Sequence, residues 1–205
     1  MRKDPANRGQ GAPLSWAALH PKQIPEAKKT RIAVVGRSNA GKSSLLNLLT
    51  HPKKVFRSGK RPGLTRGLLA VEKQLGKSEA STIELVDFPG WGFAKRTQAE
   101  QKQWAGLAEV FVEKSQSAPL LWVWVVDPKK KIFEEEEQFF DFIGQQLFLL
   151  VWSRADKVKK AQRAALVDPW KVVLNSSIEE GIWLSNVSKE GLDGLKRSLR
   201  AFCGG

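Results

Sequence analysis

Lys42 and Ser43 close the octapeptide GRSNAGKS, which begins at Gly36. An ammonium and a hydroxyl behind two glycines at this spacing can hold a polyphosphate. The G-x-x-x-x-G-K-S loop turns successive backbone N–H groups toward phosphate oxygens, and the helix start behind it adds its own free N–H groups. Lys42 then bridges the outer phosphates, and the Ser43 hydroxyl is placed to ligate magnesium. Arg37, Ser38, Asn39 and Ala40 fill the loop between Gly36 and Gly41. Further on, Asp87-Phe88-Pro89-Gly90 reads D-x-x-G. Alone it is a turn; behind a phosphate loop, its aspartate can hold magnesium through water and the Gly90 N–H can meet the terminal phosphate. Thr65, within Gly63-Leu64-Thr65-Arg66-Gly67, is the single threonine between Thr50 and Thr82. As a switch residue it would give its hydroxyl to magnesium and its N–H to the γ-phosphate; otherwise it is an ordinary residue of a basic loop. Lys42, Thr65 and Gly90 are the residues expected to act on the reacting phosphate.

A base-reading group stands in Ser153-Arg154-Ala155-Asp156. The Asp156 carboxylate can accept two hydrogen bonds from guanine, at N1–H and the 2-amino group. Adenine offers an acceptor and a C–H on that edge and would leave the carboxylate unpaired, a strong basis for discrimination. Taken singly, Asp156 reads better as a helix N-cap; beside the other motifs, guanine recognition is the expected role. Leu184-Ser185-Asn186 can add backbone N–H groups toward guanine O6.

These groups need strands to end beside one another. Arg31 to Gly36 reads as a strand and Lys42 to Thr50 as a helix. Gly67 to Leu75 and Thr82 to Val86 read as an antiparallel hairpin, the first alternating as at an exposed edge. Leu120 to Val126 (LLWVWVV) and Leu147 to Trp152 are continuous apolar runs, as in a parallel sheet covered on both faces. Gly181 to Ser185 reads as a last short strand. Helical spacing marks Gln98 to Lys114, Phe133 to Gln146, Lys157 to Leu166 and Glu190 to Phe202; Glu134 to Glu137 suit the positive end of a helix dipole. Strand alternating with helix implies an α/β fold of three layers with a mostly parallel sheet and one antiparallel edge strand. Ligands then gather at the carboxyl ends of the strands, where every motif falls. Residues 1–29, with several prolines and glycines, read as a basic arm whose Leu14, Trp16 and Leu19 can pack onto a single domain at 30–203. His51 to Arg66 reads as a long functional loop.

At 205 residues with 41% hydrophobic content, the chain can bury a full core. Apolar runs fall short of the roughly 18–20 residues of a membrane span, and the basic N-terminal stretch has no apolar segment behind it to suggest a secretory signal. Cys203 is the sole cysteine, which suits a reducing, cytoplasmic setting. Lys and Arg number 34 against 21 acidic residues, a net charge of +13; the phosphate loop uses few of them, so a polyanionic partner such as RNA is expected.

GRSNAGKSSLLN, RPGLTRG, DFPGWGFAK, SRADK and LSN-SKEGLDGL together resemble the EngB (YihA/YsxC) family of small bacterial GTPases from Trp16 onward. The resemblance implies a Ras-like P-loop GTPase domain, GTP and GDP as ligands, Mg2+, a part in large ribosomal subunit assembly with ribosomal RNA and proteins as partners, and a link to cell division; a monomer is expected. Three departures stand out. Ser153 and Arg154 replace the usual Thr or Asn followed by Lys, and Arg154 can still lie flat on a base. Asn186 replaces a usual serine. Trp91 and Phe93 replace tyrosines, and Trp91 stands where Ras-type GTPases place a water-orienting glutamine, so slow intrinsic hydrolysis is expected. Asn39 either stabilises a turn or helps bind K+. An ATP-using kinase, a nucleotide-stabilised scaffold with little turnover and a membrane-surface protein are the rival readings.

Overall fold

Side chains along the central strands point alternately to two faces, and each face carries its own kind of core. The structure is a computed structural model and describes residues 14–51, 55–56, 67–76, 81–91, 98–144, 146–174 and 181–204. In β2 (Arg31–Val35), which follows β1 (Leu14–Ala18), every residue is buried. Ile32 and Val34 pack with Leu45, Leu46 and Leu49 of α1 (Lys42–Thr50) and with Leu192, Leu195 and Leu199 of α5 (Leu192–Phe202). Ala33 and Val35 turn to the other face, toward α2 (Gln98–Glu113), α3 (Glu134–Ile143) and α4 (Arg163–Val173). That second face is aromatic. All eight tryptophans of the chain pack into it or against it, among them Trp122 and Trp124 of β5 (Leu120–Val126) and Trp152 of β6 (Phe148–Trp152). Ala33 pairs with Trp122 in the sheet, so a small side chain lies beside a large one on the same face.

The sheet order is β1-β3-β4-β2-β5-β6-β7, with β3 at Leu68–Gln74, β4 at Thr82–Asp87 and β7 at Ile182–Trp183. The expected hairpin is present, Leu69 facing Asp87 and Gln74 facing Thr82. β3 alone runs against the other described strands, because β1 is antiparallel to β3 in turn. β3 is therefore not the edge strand. Leu14–Ala18, within the stretch read as an arm, forms the edge itself.

Buried charge holds that N-terminal stretch in place. Arg31 is fully buried; its Nε donates to Glu84 at 2.8 Å, and its other nitrogens donate to the Pro25 and Lys114 carbonyls and the Ser115 hydroxyl. Its guanidinium lies between the Trp16 and Phe111 rings, 5.3 and 5.2 Å from their centroids, and Trp16 Nε1 donates to the same Glu84 at 3.1 Å. Leu14 and Leu19 remain exposed, so Trp16 is the residue that docks. A second correction concerns the helix expected at Lys157 to Leu166. Short 3-10 turns occupy Ala155–Lys157 and Lys160–Gln162, and α4 runs from Arg163 through Pro169 to Val173. Trp170, packed 6.0 Å from Trp124 and 5.8 Å from Trp152, overrides the local helix-breaking signal of that proline.

Candidate nucleotide-binding site

β2 delivers the chain into the phosphate loop at Gly36, where φ is +137°. A Cβ there would lie 2.2 Å from the Val125 carbonyl oxygen of β5, so only glycine lets the loop leave the sheet this close to its neighbour. Asn39 (φ +63°) and Gly41 (φ +111°) complete the curl, and α1 starts at Lys42. The left-handed backbone at Asn39 is the turn role expected of an asparagine. Lys42 is buried, and its ammonium donates to the Gly36 and Arg37 carbonyls at 2.9 and 3.0 Å, which holds it in the loop that would surround the phosphates. Ala40 is buried beneath, in the aliphatic core.

The DFPG segment lies directly across this loop. Ser43 Oγ donates to the buried Asp87 carboxylate at 3.0 Å. Phe88 is fully buried in the aromatic face, and the Pro89 carbonyl accepts from Trp104 Nε1 at 2.9 Å. A Cβ on Gly90 would fall 2.5 Å from Lys42 Nζ and 2.7 Å from Ser38 N, so glycine is required by close approach. Ser38 closes the junction: its N–H donates to the Trp91 carbonyl at 2.8 Å and its hydroxyl to the Gly90 carbonyl at 3.2 Å.

The residues expected to read the base gather at the ends of β6 and β7. Ser153 is buried, and Arg154 turns the chain at φ +59°. Arg154 donates to Asp127 Oδ2 at 2.7 Å and to the Asn39 carbonyl at 2.8 Å; it ties the phosphate loop to the base loop, with two of its nitrogens committed there. Ala155 N–H donates to the Leu184 carbonyl, which brings the two base loops together. Asp156 is exposed, and its Oδ1 accepts from Ser185 Oγ at 2.6 Å; the same hydroxyl accepts from the N–H groups of Val187 and Ser188. Asn186 Nδ2 and Ser153 Cβ lie 3.5 and 3.8 Å from where a Gly41 Cβ would stand. Ser153 Oγ and Asn186 Oδ1 are buried, with no hydrogen-bond partner among the described residues. Two of the three departures from the family pattern thus meet over one glycine.

Of the residues expected from sequence, Gly63, Leu64, Thr65, Arg66 and Phe93 lie outside the described residues. Gly67 is described and sits elsewhere, against β1, where a Cβ would be 2.2 Å from the Ala18 carbonyl oxygen. The others converge on one end of the sheet.

Residues 31–154 match a family model described as a 50S ribosome-binding GTPase. A probable GTP-binding protein EngB from Alkaliphilus metalliredigens is 30% identical over 193 residues, covering 91% of this chain and 88% of that protein. Another from Bdellovibrio bacteriovorus is 33% identical over 183 residues, covering 88% and 86%. The chain belongs to the EngB family of GTP-binding proteins. A crystal structure of a probable GTP-binding protein EngB matches at a TM-score of 0.64 and 25% identity, covering 85% of this chain and 98% of that one. Era in complex with MgGDPNP and nucleotides 1506–1542 of 16S ribosomal RNA shares the fold at a TM-score of 0.68 and 22% identity, covering 86% and 57%.

This EngB-family GTPase carries one site residue that the sequence reading assigned only to a helix dipole. Glu136 of α3 is 1% exposed. Its carboxylate accepts from Trp91 Nε1 at 3.1 Å, from Arg37 at 3.3 Å and from the Phe133 N–H at 2.9 Å. Burial is the largest influence and pushes its pKa above the usual carboxylate range, against those three donors. Phe133-x-x-Glu136 has the spacing by which an N3 carboxylate returns to the N-cap N–H, and that signal could have set Glu136 apart from its acidic neighbours. The Trp91 indole is thereby held in the aromatic core, 4.8 Å from the Phe139 ring, while its backbone stays on the phosphate loop.

Proposed function

We propose that this EngB-family GTPase is a magnesium-dependent switch that binds GTP and GDP, hydrolyses GTP slowly, and acts in the cytoplasm on the large ribosomal subunit precursor, with a link to cell division. The observation that carries the nucleotide reading is three bonds spanning the two ends: Lys42 in its loop, Arg154 from the base end to that loop, and Ser185 on Asp156. Asp156, held by Ser185 Oγ on one oxygen, would choose guanine. Ser43 Oγ and the Asp87 carboxylate are hard oxygen donors within 3.0 Å of each other and suit magnesium in the company of phosphates. Bound there, the ion would neutralise charge on the outer phosphates. The matched model's description and the +13 charge support the ribosomal partner. Among the described residues no helix is long and apolar enough to cross a membrane.

The mechanism follows from the Ser38 junction. A γ-phosphate seated on the loop would compete with the Trp91 carbonyl for the Ser38 N–H, so GTP would shift the Gly90–Trp91 backbone where GDP would not. Thr65 would join at the phosphate from its own segment. Trp91 gives no side-chain oxygen or nitrogen to a water in line with the phosphate, since its indole N–H is spent on Glu136; a partner or a cation would complete the site. Calorimetry with GDP, GTP and ATP tests the nucleotide reading: a clear guanine preference is expected, and equal binding of ATP refutes it. Pelleting with ribosomal subunits at fixed salt tests the switch, which fails if GTP and GDP forms bind alike. Hydrolysis that is unchanged between K+ and Na+ removes the potassium role from Asn39. The buried indole also favours the second reading, a nucleotide-stabilised scaffold; single-turnover GTP hydrolysis with and without ribosomal particles separates the two.

A further inference from the structure

A cavity of about 360 Å³ opens on the flank of the phosphate loop. It shares Arg37 to Ala40 and Arg154 with the nucleotide site, but Lys42, Ser43, Asp87, Asp156 and Asn186 take no part in its walls. Trp124 and Trp170 line it from the aromatic core, and the loop from Asp127 to Phe133 forms its outer wall. That loop is fixed by its first residue: the Asp127 carboxylate accepts from Lys129 N–H and its carbonyl from Lys130 N–H. Lys129 turns its ammonium to the Lys157 carbonyl, so Lys130 and Lys131 are the lysines of this run that face the cavity.

Charge and shape together specify an occupant. Arg154 is paired with Asp127, and Arg37 with Glu135 and Glu136. Lys130 and Lys131 have no carboxylate within ion-pair distance among the described residues. The cavity therefore keeps two uncompensated positive charges. At its edge Phe133 is 43% exposed, with the Arg37 guanidinium 4.0 Å from its ring centroid. An exposed ring backed by a cation, beside two ammonium groups in a space large enough for a small ligand, is the chemistry that takes a base and its phosphates from a single strand. We propose that this cavity binds an unpaired nucleotide of single-stranded RNA, its base stacked at Phe133 and its phosphates on Lys130 and Lys131. The proposal rests on the ribosomal reading above and names the surface by which RNA would be held. Because Arg37 to Ala40 border both sites, RNA bound here would touch the loop that holds GTP.

The test uses the full chain saturated with GDP and a fluorescein-labelled single-stranded RNA of roughly 12 nucleotides, followed by anisotropy across a salt series. Lys130→Gln/Lys131→Gln is expected to weaken RNA binding about tenfold or more and to lower the salt slope by about one to two. Phe133→Ala is expected to weaken it about fivefold or more with an unchanged salt slope. GDP affinity should stay as in wild type for both, which also reports that they are folded. A charge-matched control, Lys102→Gln/Arg197→Gln on α2 and α5, should lose much less. The proposal is overturned if the control weakens RNA as much as the lysine pair, if both cavity variants bind like wild type, or if AMP competes with the labelled RNA as well as an unlabelled strand does. It is overturned also if the lysine pair alters binding to anionic phosphatidylserine vesicles and not to RNA. Failure of the wild type to bind RNA in any nucleotide state would remove the ribosomal reading too; wild-type binding that the cavity variants leave intact would remove only this site.

Discussion

The two ends of the nucleotide site are built from different material. At the phosphate end the contacts are mostly main chain: the Gly36 and Arg37 carbonyls around Lys42, the Ser38 N–H on the Trp91 carbonyl, and glycines required by positive φ or close approach. At the base end the contacts are mostly made by side chains: Ser185 on Asp156, Arg154 on Asp127, and Ser153 and Asn186 facing Gly41. Phosphates are common to every nucleoside triphosphate, and a backbone cradle reads them without regard to the base. A main-chain cradle has few interchangeable parts, because its φ angles and close approaches dictate residue type. Side chains can be exchanged for others that reach the same point, and two of the departures from the family pattern, Ser153 and Asn186, lie at that end.

The largest effect should come from the base end. Asp156→Asn reverses one hydrogen-bond direction, so guanine loses a partner and xanthine gains one. The ratio of GDP to XDP affinity should swing by about 10⁴, measured by competition calorimetry, while the total affinity for the better nucleotide stays within about tenfold. A uniform loss for both nucleotides would show that Asp156 supports the fold and does not read the base. Lys42→Ala should do the opposite. It should lower GDP, XDP and ATP affinities together, by about 10²–10³, and leave their ratios as they were. If Lys42→Ala changed the ratios, the division between the two ends would be false.

That division also explains what could be read from the chain alone. The phosphate loop and D-x-x-G were legible because their glycines are demanded by geometry that any sequence must satisfy, and the strand–helix alternation around them carried the fold. Asp156 stood out as a candidate by its chemistry, and its tie to Ser185 depends on two loops meeting 29 residues apart. β1 was hidden, because Leu14-Ser15-Trp16-Ala17-Ala18 follows a run of prolines and glycines, and its place depends on the distant Glu84 and Arg31. Glu136 was hidden within four successive glutamates; its capping spacing from Phe133 singles it out, and the packing of α3 buries it. The helix expected to end at Leu166 runs on through Pro169 to Val173, because Trp170 packs against two indoles.

Glu136 gives the phosphate end a titratable support, and its substitution should have an intermediate effect. Its folded-state pKa lies above the unfolded value, because burial disfavours the charged form. The stability linked to it is therefore fully present below the usual carboxylate pKa and is lost as pH rises through the raised value. Glu136→Gln, which keeps an acceptor for Trp91, should flatten the fall in urea midpoint from about pH 4.5 upward. Glu136→Ala leaves the donors of Arg37, Trp91 and Phe133 without that acceptor and should cost about 1–3 kcal/mol. A Gln variant whose pH profile matches wild type would mean that the Glu136 carboxyl titrates alike in the folded and unfolded states.

The smallest effect is expected where the base end meets the phosphate loop. Ser153 Oγ and Asn186 Oδ1 are both buried without a partner, and both residues border Gly41. With a short side chain at 153 and a longer one at 186 bordering the same glycine, the two departures should compensate each other. Ser153→Asn alone should crowd Asn186 and weaken GDP binding by about three- to tenfold, and Asn186→Ser alone should leave a gap with a similar loss. The double exchange should recover most of both, a coupling of about 0.5–1.5 kcal/mol in a double-mutant cycle. Replacing GDP by 7-deaza-GDP tells apart the two ways this could arise. If the pair only packs, the cycle keeps its value with either nucleotide. If the Ser153 hydroxyl donates to purine N7, the coupling shrinks when that nitrogen is removed, and the base end then reads a second edge of guanine that Asp156 cannot reach.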